Sequence, residues 1–372
     1  MKNCTAHPGL YLHVPFCRHK CPYCDFYSTT DRSLIPRLLA ALEKEAAYYR
    51  DQFPSFDTLY LGGGSPSILS GDQIESLLAR IRDRFSFDPE AEITIEVNPN
   101  DLDPDKIKDL SRAGINRISL GVQSFDDQIL HFLRRRHTAA EAEETVYWIR
   151  QAGFKNMGMD LIYGIPGQTI NQWLADLEKA FTFRPEHLSC YQLTIAQGTL
   201  FGGLKEKGAL QPLSEEEEAD FFLSTSAFLK QHGYIHYEIS NFALEENYFS
   251  RHNQKYWQRE PYLGLGPSAH SFRDNRRWWN IRSLNKYCRA LEGGEPPPEG
   301  QEELSEEQVR LETISLGLRT RAGLDLEALG IHWNREKTLT TLLGNEWAEL
   351  KGNRLIPTTK GFLQADRLPL FF

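Results

Sequence analysis

Six strand-like runs, each separated from the next by a helical pattern, constrain this chain more than any other feature. They are residues 10–14, 58–61, 93–97, 117–120, 157–162 and 188–195. Runs too short for helices, alternating with amphipathic helices, are the pattern of repeated βα units with parallel strands. Between the first two runs, Leu34, Ile35, Leu38, Leu39 and Leu42 share one helical face, which predicts a core-facing helix. Six such units predict an α/β fold, a barrel or partial barrel of parallel strands. A doubly wound open sheet is the alternative that periodicity leaves open. In both, chemistry collects beyond the carboxyl ends of the strands.

Polar or glycine-rich motifs follow these strands: PFCRHKCPYC, GGGSPS, NPND, GVQSF and YGIPGQT. The first places Cys17, Cys21 and Cys24 in one loop, spaced C-x3-C-x2-C. Six cysteines in 372 residues are too few for a disulfide scaffold, so the cluster points to metal binding or catalysis. Zinc would need a fourth ligand from His13, His19 or a distant residue. An iron–sulfur cluster held by three thiolates leaves one iron without a protein ligand, and a molecule bearing amino and carboxylate groups can chelate it. Cys4, Cys190 and Cys288 stand alone and read as structural or unpaired thiols.

A formal net charge of −9 opposes nucleic-acid binding driven by counterion release, with the run Arg134, Arg135, Arg136 as a local exception. No apolar run is long enough to span a bilayer, and MKNCTAHPGL lacks the apolar centre of a signal peptide. A cytoplasmic protein with small-molecule or protein partners is therefore expected, with peripheral membrane association and oligomeric state left open. Residues 1–235 read as the barrel. Residues 236–291 form an aromatic and histidine-rich segment packing on it, 292–308 a Pro/Gly/Glu-rich linker, and 309–372 a small α+β, winged-helix-like module. The acidic balance favours a packing or lid role for that module over DNA binding.

With its following motifs, the cysteine loop resembles the radical S-adenosylmethionine (SAM) superfamily. YLHVPFCRHKCPYCDF, LGGGSPS, TIEVNPN, SLGVQSF, DLIYGIPGQT, YEISNFA, RHNQKYW and YLGLGPSAHSF together resemble its HemW heme-chaperone family, relatives of the oxygen-independent coproporphyrinogen III dehydrogenase HemN. The resemblance covers essentially the whole chain. It implies a partial (β/α)6 barrel with a small C-terminal domain, a [4Fe-4S] cluster on Cys17, Cys21 and Cys24, bound SAM, heme, and client hemoproteins. Chaperone activity is the expectation, with no residue assigned as catalytic. A dehydrogenase acting on coproporphyrinogen III and a radical SAM methyltransferase are the alternatives. Phe26 stands where the dehydrogenase's loop carries a fourth cysteine.

The resemblance also assigns roles. The loop of Gly62, Gly63, Gly64 and Ser65 meets the methionine part of SAM. Glu96 and Arg135 serve the amino-acid moiety, and Gln123 and Asp160 the ribose. A carboxylate at a strand end can accept from an ammonium or hydroxyl, and an arginine can clamp a carboxylate. Taken singly, each of these residues suits a solvated or structural role. Tyr11 is the family's tyrosine before the cysteine loop. His252, Tyr256 and Trp257 form the HNxxYW motif associated with heme, with His252 the candidate axial ligand. Two positions depart from the family's usual pattern. Arg134 replaces a small residue in LRRRH, and Ala196 in TIAQGT lacks a carboxylate.

Overall fold

The computed structural model describes residues 7–327, 329 and 334–372, so Cys4 lies outside the described residues. Strands β1 (Gly9–Val14), β2 (Ser55–Gly63), β3 (Ser86–Val97), β4 (Arg117–Gln123), β5 (Met157–Tyr163) and β6 (His187–Gln192) run parallel, neighbour to neighbour in chain order. All six expected strands are present, and helices connect them as the alternation predicts. The sixth ends at Gln192 rather than at residue 195. Leu193 and Ile195 instead join an apolar cluster with Ile129, Leu133, Ile162 and Phe201, which gives them a hydrophobic pattern beyond the strand's end, although Leu193 N still donates to Tyr163 O at 2.8 Å.

The parallel strands form a partial barrel, and among the described residues no pairing joins β1 to β6. Two further strands, β7 (Ile235–His236) and β8 (Asn241–Ala243), extend the β6 edge in antiparallel fashion. At the other edge β9 (Tyr262–Leu265) pairs parallel with β1, followed by antiparallel β10 (His270–Arg273), β11 (Arg276–Asn280) and β12 (Pro298–Glu303). Residues 236–291 thus extend the sheet itself and do more than pack on it. The expected linker, 292–308, contains β12 and the Ser305 cap of helix Glu306–Gly317. Proline, glycine and glutamate suit an exposed edge strand as well as a linker, which is why composition could not separate the two.

Helix Ile35–Tyr49 buries Ile35, Leu38 and Leu42 of the expected stripe, while Leu39 and, just before the helix, Leu34 are half-buried against the same core. It also buries Glu45 completely. This carboxylate accepts from Gly266 N at 2.8 Å, from Asn280 Nδ2 at 2.5 Å and from the Tyr287 hydroxyl, tying the helix to the 262–291 segment. Burial pushes its carboxyl up to about 8.

The C-terminal module has its own core of Ile314, Leu318, Leu342, Leu355 and Leu368. Helices Glu306–Gly317 and Arg335–Gly344 pack with strands β13 (Leu324–Asp325), β14 (Ala348–Lys351) and β15 (Arg354–Pro357), β13 falling between the two helices in the chain. Arg259 to Glu312 at 2.9 Å and Arg321 N to Tyr237 O at 2.8 Å join it to the larger sheet. Among the described residues no helix is long and apolar enough to cross a membrane.

Candidate functional site

The cysteine loop leaves the carboxyl end of β1 and is closed by Cys17 N to Thr29 O at 2.9 Å and Thr29 N to Pro15 O at 2.7 Å. The glycine run after β2 lies directly against it. Gly64 N donates to Val14 O at 2.9 Å and Ser65 N to Phe16 O at 2.8 Å. A Cβ on Gly64 would come within 2.8 Å of the Phe16 carbonyl, and Gly63, at φ 108°, would meet the His13 ring at 2.5 Å. The first task of these glycines is thus close approach of two backbones. Gly63, Gly64 and Ser65 also line the cavity beyond, whereas Gly62 does not.

That cavity, of about 560 Å³, gathers Cys17, Cys21 and Cys24 with Glu96, Gln123, Arg135 and Asp160. A chain of polar contacts runs across it. Ser65 Oγ lies 3.9 Å from Cys17 Sγ and accepts from Asn98 Nδ2 at 2.7 Å. Asn98 Oδ1 in turn accepts from Arg135 Nη2, and Arg135 Nη1 lies 3.7 Å from Cys21 Sγ. Gly121 makes room for the convergence, because a Cβ there would come within 2.9 Å of Gln123 Nε2. Gln123 itself is held at φ 68°, a left-handed conformation that favours glycine, just past an irregularity in the β4–β5 pairing. Sequence reasoning missed Asn98 as a site residue, although NPND directly after β3 was the available signal.

Glu96 and Asp160 bring two carboxylates into the cavity. Glu96 accepts from Tyr60 OH at 2.9 Å and Gly63 N at 3.2 Å, and Asp160 accepts from Ser119 Oγ at 3.1 and 3.2 Å. Burial, with the Asp160 charge nearby, pushes the Glu96 carboxyl up to about 7, and burial raises that of Asp160. Arg135 Nε and Thr94 Oγ1, both on lining residues, are buried without a hydrogen-bond partner. A ligand with ammonium, carboxylate and hydroxyl groups would answer these unmet groups, so the residues present fit SAM.

The thiols fit a cluster better than a single ion. Among the described residues no three His, Cys, Asp or Glu side chains form a group that could hold one metal ion. The histidines proposed as zinc's fourth ligand are hydrogen-bonded elsewhere. His13 bonds Tyr11 OH at 3.1 Å and donates to Tyr27 O at 3.1 Å, while His19 donates to Arg134 O at 2.7 Å. Burial pushes the Cys17 thiol up to about 11 and raises that of Cys24, so loading iron on them must release protons.

Tyr11, His252, Tyr256 and Trp257 do not line the cavity. Tyr11 packs against both Tyr60 and His252. Helix Arg251–Trp257 closes the amino-terminal end of the barrel, and of its HNxxYW motif only Asn253 reaches the cavity wall. His252 is buried, with Nδ1 2.9 Å from Thr58 Oγ1 and Nε2 2.8 Å from Tyr256 OH. Both ring nitrogens are occupied, so the geometry does not offer the axial ligand expected of it. Trp257 lies under the Arg319 guanidinium, 4.2 Å from ring centre, and so faces the C-terminal module. Of the two departures, Arg134 sits at φ 51°, and Ala196 lines the cavity while its carbonyl accepts from Thr199 Oγ1 at 2.6 Å.

Residues 11–180 match the radical SAM superfamily. The heme chaperone HemW of Lactococcus lactis is 35% identical over 358 residues, covering 93% of this chain and 90% of that protein. HemW of Escherichia coli is 38% identical over 279 residues, covering 72% and 71%. In three dimensions the chain resembles coproporphyrinogen III oxidase (HemN) from Escherichia coli, with TM-score 0.84 and 23% identity over 99% of this chain and 91% of that one, a likeness of fold.

Proposed function

Because the chain belongs to the HemW family of the radical SAM superfamily, we propose that it is a heme chaperone, binding heme and passing it to client hemoproteins. The observation that carries this reading is similarity to HemW proteins along nearly the entire chain. In the same proposal Cys17, Cys21 and Cys24 hold a [4Fe-4S] cluster, and SAM lies across the strand ends. When bound, the cluster supplies a low-potential electron donor and an iron open to an amino-carboxylate. Glu96 would accept from the SAM ammonium, Arg135 would meet its carboxylate, and Asp160 and Gln123 would take the ribose hydroxyls. The unpartnered Arg135 Nε and the raised Glu96 carboxyl support these roles. The HNxxYW helix is assigned to closing the barrel, and His252 to packing.

The test is anaerobic reconstitution followed by two assays on the same preparation, a heme titration and turnover of coproporphyrinogen III. A heme-dependent absorption band, transfer to an apo-hemoprotein and no oxidative decarboxylation are expected. Robust formation of protoporphyrinogen IX would overturn the chaperone reading in favour of an enzyme.

A further inference from the structure

The mouth of the cavity carries a cationic rim of which the strand-end site uses only Arg135. Arg18, His19, His131, Arg134, Arg135 and Arg136 line an open cleft, and four of them, Arg18, His19, Arg135 and Arg136, also line the main cavity. The two spaces are therefore contiguous. Buried Asp101 holds Arg18 Nε at 2.7 Å and Arg136 Nη1 at 3.7 Å. One carboxylate thus anchors two guanidiniums and leaves the rim with an excess of positive charge, to which Lys20 adds and from which Asp25 subtracts. In a chain of formal net charge −9, such a concentration of cations draws anions to one place.

Arg134 makes the strongest case. Its backbone sits at φ 51°, where any side chain but glycine's is strained. Its side chain is exposed, and among the described residues its guanidinium has no hydrogen-bond or ion-pair partner. His19 donates to its carbonyl at 2.7 Å and fixes this turn against the cysteine loop. The fold thus keeps a strained, unpaired cation at the cavity mouth. Phe26, which lines the main cavity together with Arg18, Lys20 and Arg136, has 66% of its surface exposed and offers a flat apolar face.

A ligand that satisfies both features is flat and apolar with acid groups on one edge. We infer that this rim is the docking site for heme, Arg134 and Arg136 meeting its two propionate carboxylates and Phe26 its ring. The inference rests on the heme reading above and adds where, and by which groups, heme is held.

The experiment titrates heme and heme dimethyl ester, followed by absorption, into the full-length wild type, Arg134→Gly and the double variant Arg134→Gly/Arg136→Gln. Arg134→Gly relieves the left-handed strain, so its thermal midpoint should rise while its heme affinity falls. The double variant should bind heme about five- to tenfold more weakly, the scale of two solvent-exposed ion pairs. The ester, lacking free carboxylates, should bind all three proteins alike and weakly. Equal heme affinity in the wild type and the double variant, or an ester that binds the wild type as tightly as heme, overturns this docking site and leaves the chaperone reading intact. A wild type that binds no heme overturns both.

Discussion

Asn98 Nδ2 donates to Ser65 Oγ at 2.7 Å while its other amide atom accepts from Arg135, so one short side chain couples the loop after β2 to the guanidinium beside Cys21. The two thiols at the ends of this chain, Cys17 and Cys21, are thereby held in register with the residues proposed for SAM. Asn98→Ala removes both bonds and leaves Arg135, already short of one partner, less constrained. SAM affinity should fall about tenfold, the scale of one or two charge-assisted hydrogen bonds, with iron and sulfide content unchanged. Titration calorimetry on the reconstituted protein, paired with iron and sulfide analysis, checks it. Undiminished affinity would make Asn98 a bystander.

The three cysteines carry a simpler expectation. Replacing Cys17, Cys21 and Cys24 with alanine should abolish the iron–sulfur chromophore while the circular dichroism spectrum stays that of the wild type, because all three side chains border the cavity and none belongs to the main core cluster. Iron and sulfide retained at full occupancy in the triple variant would refute the assignment.

The strands and the cysteine loop were legible because period and spacing are local properties of the sequence. Glu96, Gln123, Arg135 and Asp160 could be named only through the resemblance: Glu96 and Gln123 do stand at the ends of β3 and β4, but Asp160 lies in the middle of β5 and Arg135 follows the helix Asp127–Phe132. What could not be read is what depends on contacts between distant segments. Pairing of β9 with β1 joins residues more than two hundred positions apart, and nothing in either strand's pattern announces it. His252 shows the same limit more sharply. A histidine among aromatics reads alike as a ligand or as packing, and only the positions of Thr58 and Tyr256 decide between them. Edge strand β12 was hidden for another reason, since its exposed, charged residues carry no buried face to generate a period.

Binding of SAM should depend on pH through Glu96. Burial and the nearby Asp160 push its carboxyl up to about 7, and the form that receives an ammonium is the ionised one. Below that pH a proton must leave before the ligand binds, so affinity should fall by about tenfold per pH unit. Above about pH 8 the ligand's own amine loses its proton, so the profile should peak between these limits. Glu96→Gln should bind weakly and flatten the acid limb. Folding stability carries the opposite sign. A carboxyl raised on folding favours the native state at low pH and loses that contribution as pH rises toward 7, so Glu96→Gln should raise the thermal midpoint measured at pH 8. A wild-type profile flat from pH 5.5 to 8 would remove Glu96 from the ammonium's site.

His252 separates a ligand from a brace. Its ring is buried, bonded at both nitrogens to Thr58 and Tyr256, and stacked on Tyr60 with ring centres 5.2 Å apart. Burial lowers its pKa to about 3, so it stays neutral in the folded protein and charges on unfolding in mild acid. Its folded pKa lies below the unfolded value, so stability is lost as pH falls from about 6.5 toward 3. His252→Ala leaves a cavity and two unsatisfied hydroxyls, a loss of about 2–4 kcal/mol by the usual scale for a buried, hydrogen-bonded side chain. It should also remove this residue's share of the acid sensitivity. Denaturant unfolding at pH 7.5 and pH 5 measures both effects. Because the ring is far from exposed and has no free nitrogen, the heme absorption band of the folded variant should match that of the wild type. A band shifted in His252→Ala, with the fold retained, would return His252 to the iron and require that the Thr58 and Tyr256 bonds open when heme binds.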